Sequence, residues 1–127
     1  MDDIKTSLIL EKNELMYLID CLNQEGSNSN AATLAEYTGI SDIDSRSAVT
    51  GLMQKNIISV ADNRLVTVKL FDFYIRKLLS AESVEATDGE RKMLIFNNPG
   101  FILLVKEHAL SQNHITIQAF QSKEEIQ

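Results

Sequence analysis

The residues whose types could support metal binding are few and scattered in this chain. The two histidines, His108 and His114, flank one predicted strand connection and could approach each other, but only Glu107 accompanies them. A zinc site usually needs four ligands from cysteine, histidine or carboxylate side chains. We therefore interpret both histidines as solvated hairpin residues and predict no metal site.

The cysteine and the glycines also lack a reactive pattern. Cys21 lies among Leu18, Ile19 and Leu22 with no histidine nearby in sequence, which predicts a small core residue rather than a nucleophile. The glycines lie far apart, so no glycine-rich turn between a strand and a helix could hold a phosphate. We expect no catalytic residues, no cofactor and no enzyme activity.

Residues 30–68 contain the most regular pattern of elements. Asn30 is a good N-cap for a helix over residues 31–38, in which Leu34 and Ala35 would face inward, and Gly39 would end that helix in a left-handed conformation. After a sharp turn, Ser41 is the expected cap of a second helix. Its buried stripe would consist of three residues at helical spacing: Val49, Leu52 and Met53.

A short hairpin is predicted to follow this second helix. Asn56 can close the helix in a left-handed conformation, and the β-branched runs 57–60 and 65–68 are separated by residues 61–64. Helix, turn, helix and hairpin in this order are typical of the winged-helix fold, in which the second helix is presented outward to DNA.

The chemistry of this segment does not favour DNA. Asp42 and Asp44 stand at the start of the second helix, where they would repel phosphate, although they would also stabilise the helix N-terminus. A DNA-binding alternative would use Arg46, Lys55 and Arg64 on phosphates and Ser45, Ser47 and Thr50 in the groove.

The flanking segments predict further helices and strands. Residues 8–10 form a short strand candidate, and a helix beginning near Lys12 would bury Leu15, Leu18, Ile19 and Leu22. A fourth helix over residues 69–80 has an apolar stripe containing Leu70, Phe71, Tyr74, Leu78 and Leu79. Residues 81–91 are an acidic connector with an edge strand around Val84.

The last third of the chain predicts an antiparallel β-meander. Strands over residues 92–96 and 101–105 flank Pro99 and Gly100, which fit a type II turn. A third strand, 114–120, alternates so that Ile115, Ile117 and Ala119 share one face. Ser122 is the expected cap of a short helical turn over residues 123–127.

These elements predict one α+β domain: a winged-helix-like core with a hairpin wing over residues 1–80, the connector 81–91, and a three-stranded antiparallel meander over 92–127. A length of 127 residues with 44% apolar residues suits a single core. A net charge of -6 disfavours nucleic acid and anionic membrane as partners. The apolar runs are too short to span a membrane and the N-terminus lacks the basic start of a signal peptide, so we expect a cytoplasmic protein.

Two family resemblances accompany this pattern. Residues 34–41 (LAEYTGIS) and 52–58 (LMQKNII) resemble MarR-like winged-helix regulators. Over nearly the whole chain, the segments 10–15, 52–58, 63–65, 70–79, 115–117 and 122–125 look like one half of the EspG-like chaperones of type VII (ESX) secretion. That resemblance implies a cytosolic, non-enzymatic protein that recognises small helical secretion substrates.

We therefore expect a protein-interaction domain, adaptor or chaperone-like, that recruits its partner through the helix with Phe71, Phe73 and Tyr74 and through the meander. The alternative is a winged helix-turn-helix transcriptional regulator that binds DNA. A homodimer that forms through the helix over residues 69–80 is a further alternative. Nucleic acid is an expected partner only under the hypothesis of a transcriptional regulator.

Overall fold

The chain divides into a helical unit, Lys12–Leu79, and a sheet unit, which consists of Met1–Glu11 and Ser80–Gln127. The structure, a computed structural model, describes residues 7–22, 28–40, 42–67, 69–87, 92–108, 111–122 and 124. Within them the architecture is α+β, as predicted, with four helices, a two-stranded sheet and a five-stranded antiparallel sheet.

The helical unit contains the four predicted helices: α1 (Lys12–Leu22), α2 (Ser29–Thr38), α3 (Ser45–Gln54) and α4 (Lys69–Ser80). Helix α1 contacts both α2 and α3. Its buried face contains Leu15, Leu18 and Ile19, as predicted, while Leu22 is only half-buried. The prediction that Cys21 is a core residue is wrong, because this side chain lies next to the exposed Asp20 on the outer side of α1.

The ends of the helices are set by asparagine, aspartate and glycine. Gly39 ends α2 with φ 73°, and Asn56 follows α3 with φ 61°, so both left-handed positions are confirmed. The N-cap of α2 is Asn28 rather than the predicted Asn30, because the Asn28 side chain accepts hydrogen bonds from the N–H groups of Asn30 and Ala31. Similarly, Asp44 caps α3. The predicted cap, Ser41, lies outside the described residues.

The buried face of α3 differs from the predicted one by about one residue. Ala48 and Leu52 are fully buried, whereas Val49 is half-buried and Met53 is exposed. Gly51 belongs to the same inner face and lies against Glu14 of α1. The absence of a side chain at position 51 therefore leaves room for the Glu14 carboxylate of α1.

The predicted hairpin is present as β2 (Ile58–Ala61) and β3 (Arg64–Thr67), which pair antiparallel. Asp62 and Asn63 form the two-residue turn with φ values of 52° and 63°. Two consecutive left-handed residues are the signature of a type I′ turn, whose twist matches that of the strands. Val68, predicted to belong to the second strand, lies outside the described residues.

The sheet unit has the strand order β1-β7-β6-β5-β4. The strands are β1 (Ser7–Glu11), β4 (Ser83–Ala86), β5 (Leu94–Asn98), β6 (Phe101–His108) and β7 (Ser111–Phe120). The three strands of the predicted meander are β5, β6 and β7. The prediction of three strands was too low, because β1 pairs with β7, with Leu10 opposite Ile115, and β4 pairs with β5, with Val84 opposite Phe96.

Both faces of the central strands are buried. Phe96, Leu103 and Val105 share one face with the predicted inward residues Ile115 and Ile117, while Ala119 on that face is half-buried. The opposite face contains a cluster of Ile95, Ile102 and Leu104, against which Met93 and Phe120 pack. Gly100 has φ 86°, as a type II turn requires at its third position. The terminal turn predicted over residues 123–127 lies, apart from Glu124, outside the described residues.

Candidate functional site

The exposed side of α3 holds four of the six residues of the DNA-binding alternative. Ser45, Arg46, Ser47 and Thr50 are all exposed there. Arg64 belongs to β3, and its side chain lies outside the described residues. Arg46 is the one cation on this side of α3, and the exposed carboxylates of Asp42 and Asp44 stand at its N-terminal end. This surface is therefore polar but close to neutral.

Lys55, the second predicted phosphate contact, is committed to an ion pair. Its Nζ donates to both carboxylate oxygens of Glu14, at 2.6 and 2.8 Å. The Glu14 side chain is 1% exposed and that of Lys55 is 35% exposed. A buried carboxylate without a cation is strongly unfavourable, so this pair neutralises the Lys55 charge within the fold. The sequence pattern did not indicate this pair.

The start of α3 is occupied by its own cap. Oδ1 of Asp44 accepts a hydrogen bond from the backbone N–H of Ser47 at 3.1 Å. Asn13 of α1 holds Asp44 in place, since its Oδ1 accepts from the Asp44 N–H and its Nδ2 donates to the Asp44 carbonyl, both at 2.9 Å. Free N–H groups at a helix N-terminus can bind phosphate, but here a carboxylate already uses one of them.

The three residues of α4 that were predicted to bind a protein partner differ in their exposure. Phe73 is 44% exposed, Phe71 is half-buried and Tyr74 is buried with 7% exposure. Tyr74 belongs to the same buried side as Ile75 and Leu78, and burial raises the pKa of its phenol. The Phe73 and Tyr74 ring centroids are 6.1 Å apart. Of the three, Phe73 is the residue most accessible to a partner.

Two basic residues, Arg76 and Lys77, lie one turn after Phe73 on α4. Nζ of Lys77 lies 5.5 Å from the centroid of the Phe73 ring, within the range of a cation–π interaction. Nε of Arg76 donates to Oδ2 of Asp72 at 2.7 Å, one turn apart on the same helix. Neither basic residue was predicted to belong to the site, because the prediction followed the apolar stripe; their spacing from Phe73 was the available signal.

The C-terminal end of α4 is fixed by Asn28, the N-cap of α2, and by Asn30 in the first turn of α2. Nδ2 of Asn28 donates to the carbonyl of Leu79 at 3.1 Å. Nδ2 of Asn30 donates to the carbonyls of Leu78 and Leu79, at 3.0 and 3.2 Å. Carbonyls at a helix C-terminus have no partner within the helix, so these two amides satisfy them and tie α4 to α2. No contact of either asparagine with α4 was predicted, and Asn30 was predicted only as the N-cap of α2.

Each of the two histidines lies beside a hydroxyl group of a nearby side chain. His108 Nδ1 lies 3.3 Å from Thr116 Oγ1, and His114 Nδ1 lies 2.9 Å from Ser111 Oγ. In the part of the chain that the structure describes, no three histidine, cysteine or acidic residues are grouped for a metal ion. Burial raises the pKa of Tyr17, and a hydrogen bond with the exposed Cys21 raises it further.

Comparison of the chain with protein-family models, with characterised proteins and with solved structures finds no match. Among the described helices, none combines the length and the apolar character that crossing a bilayer would require.

Proposed function

We propose that this chain is a non-enzymatic protein-interaction domain that acts as an adaptor or chaperone-like binder. The observation that carries this proposal is the character of the α3 surface. The exposed side chains there include one arginine and two carboxylates, and Lys55 is neutralised by Glu14. DNA binding needs several uncommitted cations, whereas a protein interface does not depend on an excess of positive charge.

Phe73 is the residue that we assign to the interface. Of the exposed large apolar residues, Phe73, with 44% exposure, is the aromatic one, and aromatic side chains are enriched at protein interfaces. The neighbouring Tyr74 and Ile75 are buried, and the carbonyls at the end of α4 are held by Asn28 and Asn30. The ring of Phe73 is therefore presented on a helix whose own position is fixed, which reduces the entropy lost on binding.

The resemblance of the sequence pattern to EspG-like chaperones supports a specific partner class. On that basis we propose that the partner is a small helical protein, such as a substrate of type VII secretion. The α+β architecture is compatible with this assignment but is shared by many unrelated proteins, so the assignment depends on the sequence pattern.

Affinity capture with a matched control tests the interaction. The purified chain and its Phe73→Gln and Met53→Gln variants are immobilised and exposed to lysate of the source cells. Met53 is a similarly exposed apolar residue on α3, so its variant measures general loss of surface hydrophobicity. We expect one protein to be retained by the wild type and by Met53→Gln and to be lost with Phe73→Gln. Equal recovery by all three proteins would overturn the assignment of Phe73.

The DNA-binding regulator is the second candidate function, because the exposed residues Ser45, Arg46 and Thr50 on α3 precede a type I′ hairpin. Fluorescence anisotropy of mixed-sequence duplexes over a range of salt concentrations decides between the two. We expect no binding even at low salt. Binding that weakens steeply with salt, and whose salt slope falls in Arg46→Ala, would establish the regulator function instead.

A further inference from the structure

Helix α4 has the opposite charge to the chain as a whole. It contains the basic residues Lys69, Arg76 and Lys77 and one acidic residue, Asp72, which amounts to a formal charge of +2. The full chain has a formal charge of -6. A basic helix in an acidic protein creates a local positive potential that falls off over about 10 Å at moderate salt.

Three residues of α4 combine this charge with an aromatic ring. Phe73, Arg76 and Lys77 occupy positions i, i+3 and i+4, which are neighbours on one side of a helix. Phe73 is 44% exposed, the Arg76 side chain is 62% exposed, and Lys77 extends over the Phe73 ring. We call these three residues the α4 basic face.

We propose that the α4 basic face binds an acidic amphipathic helix of a partner protein. The inference rests on the proposed function and specifies the partner surface that the domain recognises. An apolar side chain of the partner would cover the Phe73 ring. Carboxylates one turn away on the partner would then lie beside the ammonium of Lys77 and beside the guanidinium of Arg76, whose Nε donates to Asp72 while the side chain stays 62% exposed.

The charges argue for this occupant over the alternatives. Packing α4 against α4 of a second copy would bring two helices with a charge of +2 together, which is unfavourable. A duplex or an anionic membrane extends far beyond the basic face and would also meet the field of a chain with a net charge of -6. A short acidic helix has only a few carboxylates, and they would all lie beside the α4 basic face. Such a helix therefore meets less repulsion from the rest of the acidic chain than a duplex or a membrane would.

Selection from a displayed library of amphipathic helices tests the proposal with the full chain as the target. The library varies the charged positions among glutamate, lysine and glutamine while the apolar stripe is randomised among leucine, methionine and alanine. We expect the retained helices to be enriched in glutamate beside one large apolar residue. Enrichment of lysine, or no preference for charge, would overturn the proposal.

Charge-reversed variants then locate the binding surface. The best selected peptide is measured by fluorescence anisotropy against the wild type, Arg76→Glu, Lys77→Glu and the control Arg46→Glu, which makes the same charge change on α3. We expect about tenfold weaker binding for each α4 variant and little change for Arg46→Glu. A peptide with lysine in place of glutamate should bind Lys77→Glu more tightly than it binds the wild type. Such rescue separates a direct contact from loss of folding, since an unfolded variant binds neither peptide.

Failure of this inference is distinguishable from failure of the proposed function. If a cellular partner is captured but its binding is unchanged by Arg76→Glu and Lys77→Glu, the domain binds protein through another surface and the inference is wrong. If no protein is captured and duplex DNA binds, the proposed function itself is wrong. A doubled mass in light scattering that Lys77→Glu abolishes would identify a second copy as the occupant, which would also overturn the inference.

Discussion

The carboxylate of Glu14 occupies the space that a Cβ atom at Gly51 would fill. A Cβ built on Gly51 would overlap Oε2 of Glu14 and lie 3.2 Å from its Cδ. The glutamate is held from the other side by Lys55, one turn after Gly51 on the chain. The absence of a side chain at position 51 therefore lets a buried ion pair form between α1 and the end of α3.

Gly51→Ala should destabilise the protein although alanine is the better helix former. In an exposed helix the change would stabilise by about 1 kcal/mol, but overpacking in a filled interior costs roughly 1–3 kcal/mol. We expect a net loss of up to about 2 kcal/mol in the free energy of unfolding, measured with urea. Thr50→Ala, at the exposed neighbouring position, should be neutral or slightly stabilising. Stabilisation by Gly51→Ala would show that Glu14 can move aside.

Lys55→Met should destabilise the helical unit because the buried Glu14 carboxylate loses its ammonium partner. Breaking a buried pair costs roughly 3–5 kcal/mol, and the partial exposure of Lys55 reduces the expected loss to about 2 kcal/mol. The double variant Glu14→Gln with Lys55→Met should recover part of this loss, as urea denaturation would reveal. Arg46→Met is the control, since Arg46 is an exposed cation on the same helix. Equal losses at positions 46 and 55 would contradict a structural role for the pair.

Asn28 has two functions that substitutions can separate. Asn28→Ala removes the cap of α2 and the donor to Leu79, and we expect it to cost about 2 kcal/mol. Asn28→Asp keeps the capping oxygen but loses the donor and places a negative charge at the end of α4, so it should cost about 1 kcal/mol. Thermal unfolding measures both, with Ser29→Ala as a nearly neutral control. Identical effects of Ala and Asp would mean that the capping oxygen contributes nothing.

Tyr74 should make the protein less stable in alkali. Burial raises the pKa of its phenol above the ordinary value of about 10, so the folded state favours the neutral form. The contribution of Tyr74 to the free energy of unfolding is therefore fully present below about pH 10, where the tyrosine of the unfolded chain begins to ionise. This contribution is lost as the pH rises through the raised pKa of the folded state. Tyr74→Phe should reduce this loss when urea midpoints are compared between about pH 8 and about pH 11. Parallel pH profiles of the two proteins would exclude the effect.

Local signals in the sequence predicted much of the fold. The bounds of α4, the left-handed Gly39 and Asn56, and the hairpin around Asp62 and Asn63 all depend on interactions between residues close in the chain. The strands β1 and β4 were noticed as candidates, but their places in the sheet could not be predicted. Each depends on a partner strand whose register is decided by distant residues, as in the pairing of Leu10 with Ile115.

In the candidate site, too, positions set by residues close in the chain were predictable, whereas contacts between distant residues were not. The buried side of α4 includes Tyr74, Ile75 and Leu78, so helical spacing alone would have placed Phe73 and Lys77 on the outer side. The Glu14 ion pair was not predictable in the same way. Small residues at positions 48 and 51 indicate a close helix contact, but the sequence does not say which side chain fills the space.

The pairing of β1 with β7 has a consequence for synthesis on the ribosome. Strand β1 is made first among the described elements, and its partner β7 is made last, with the whole helical unit between them. Residues 12–79 can close their own contacts while translation continues, but β1 must wait for a strand that is about a hundred residues away. A nascent chain halted before Ser111 would therefore carry a completed helical unit and an unpaired Leu8–Leu10 segment, the kind of exposed strand that holding chaperones bind.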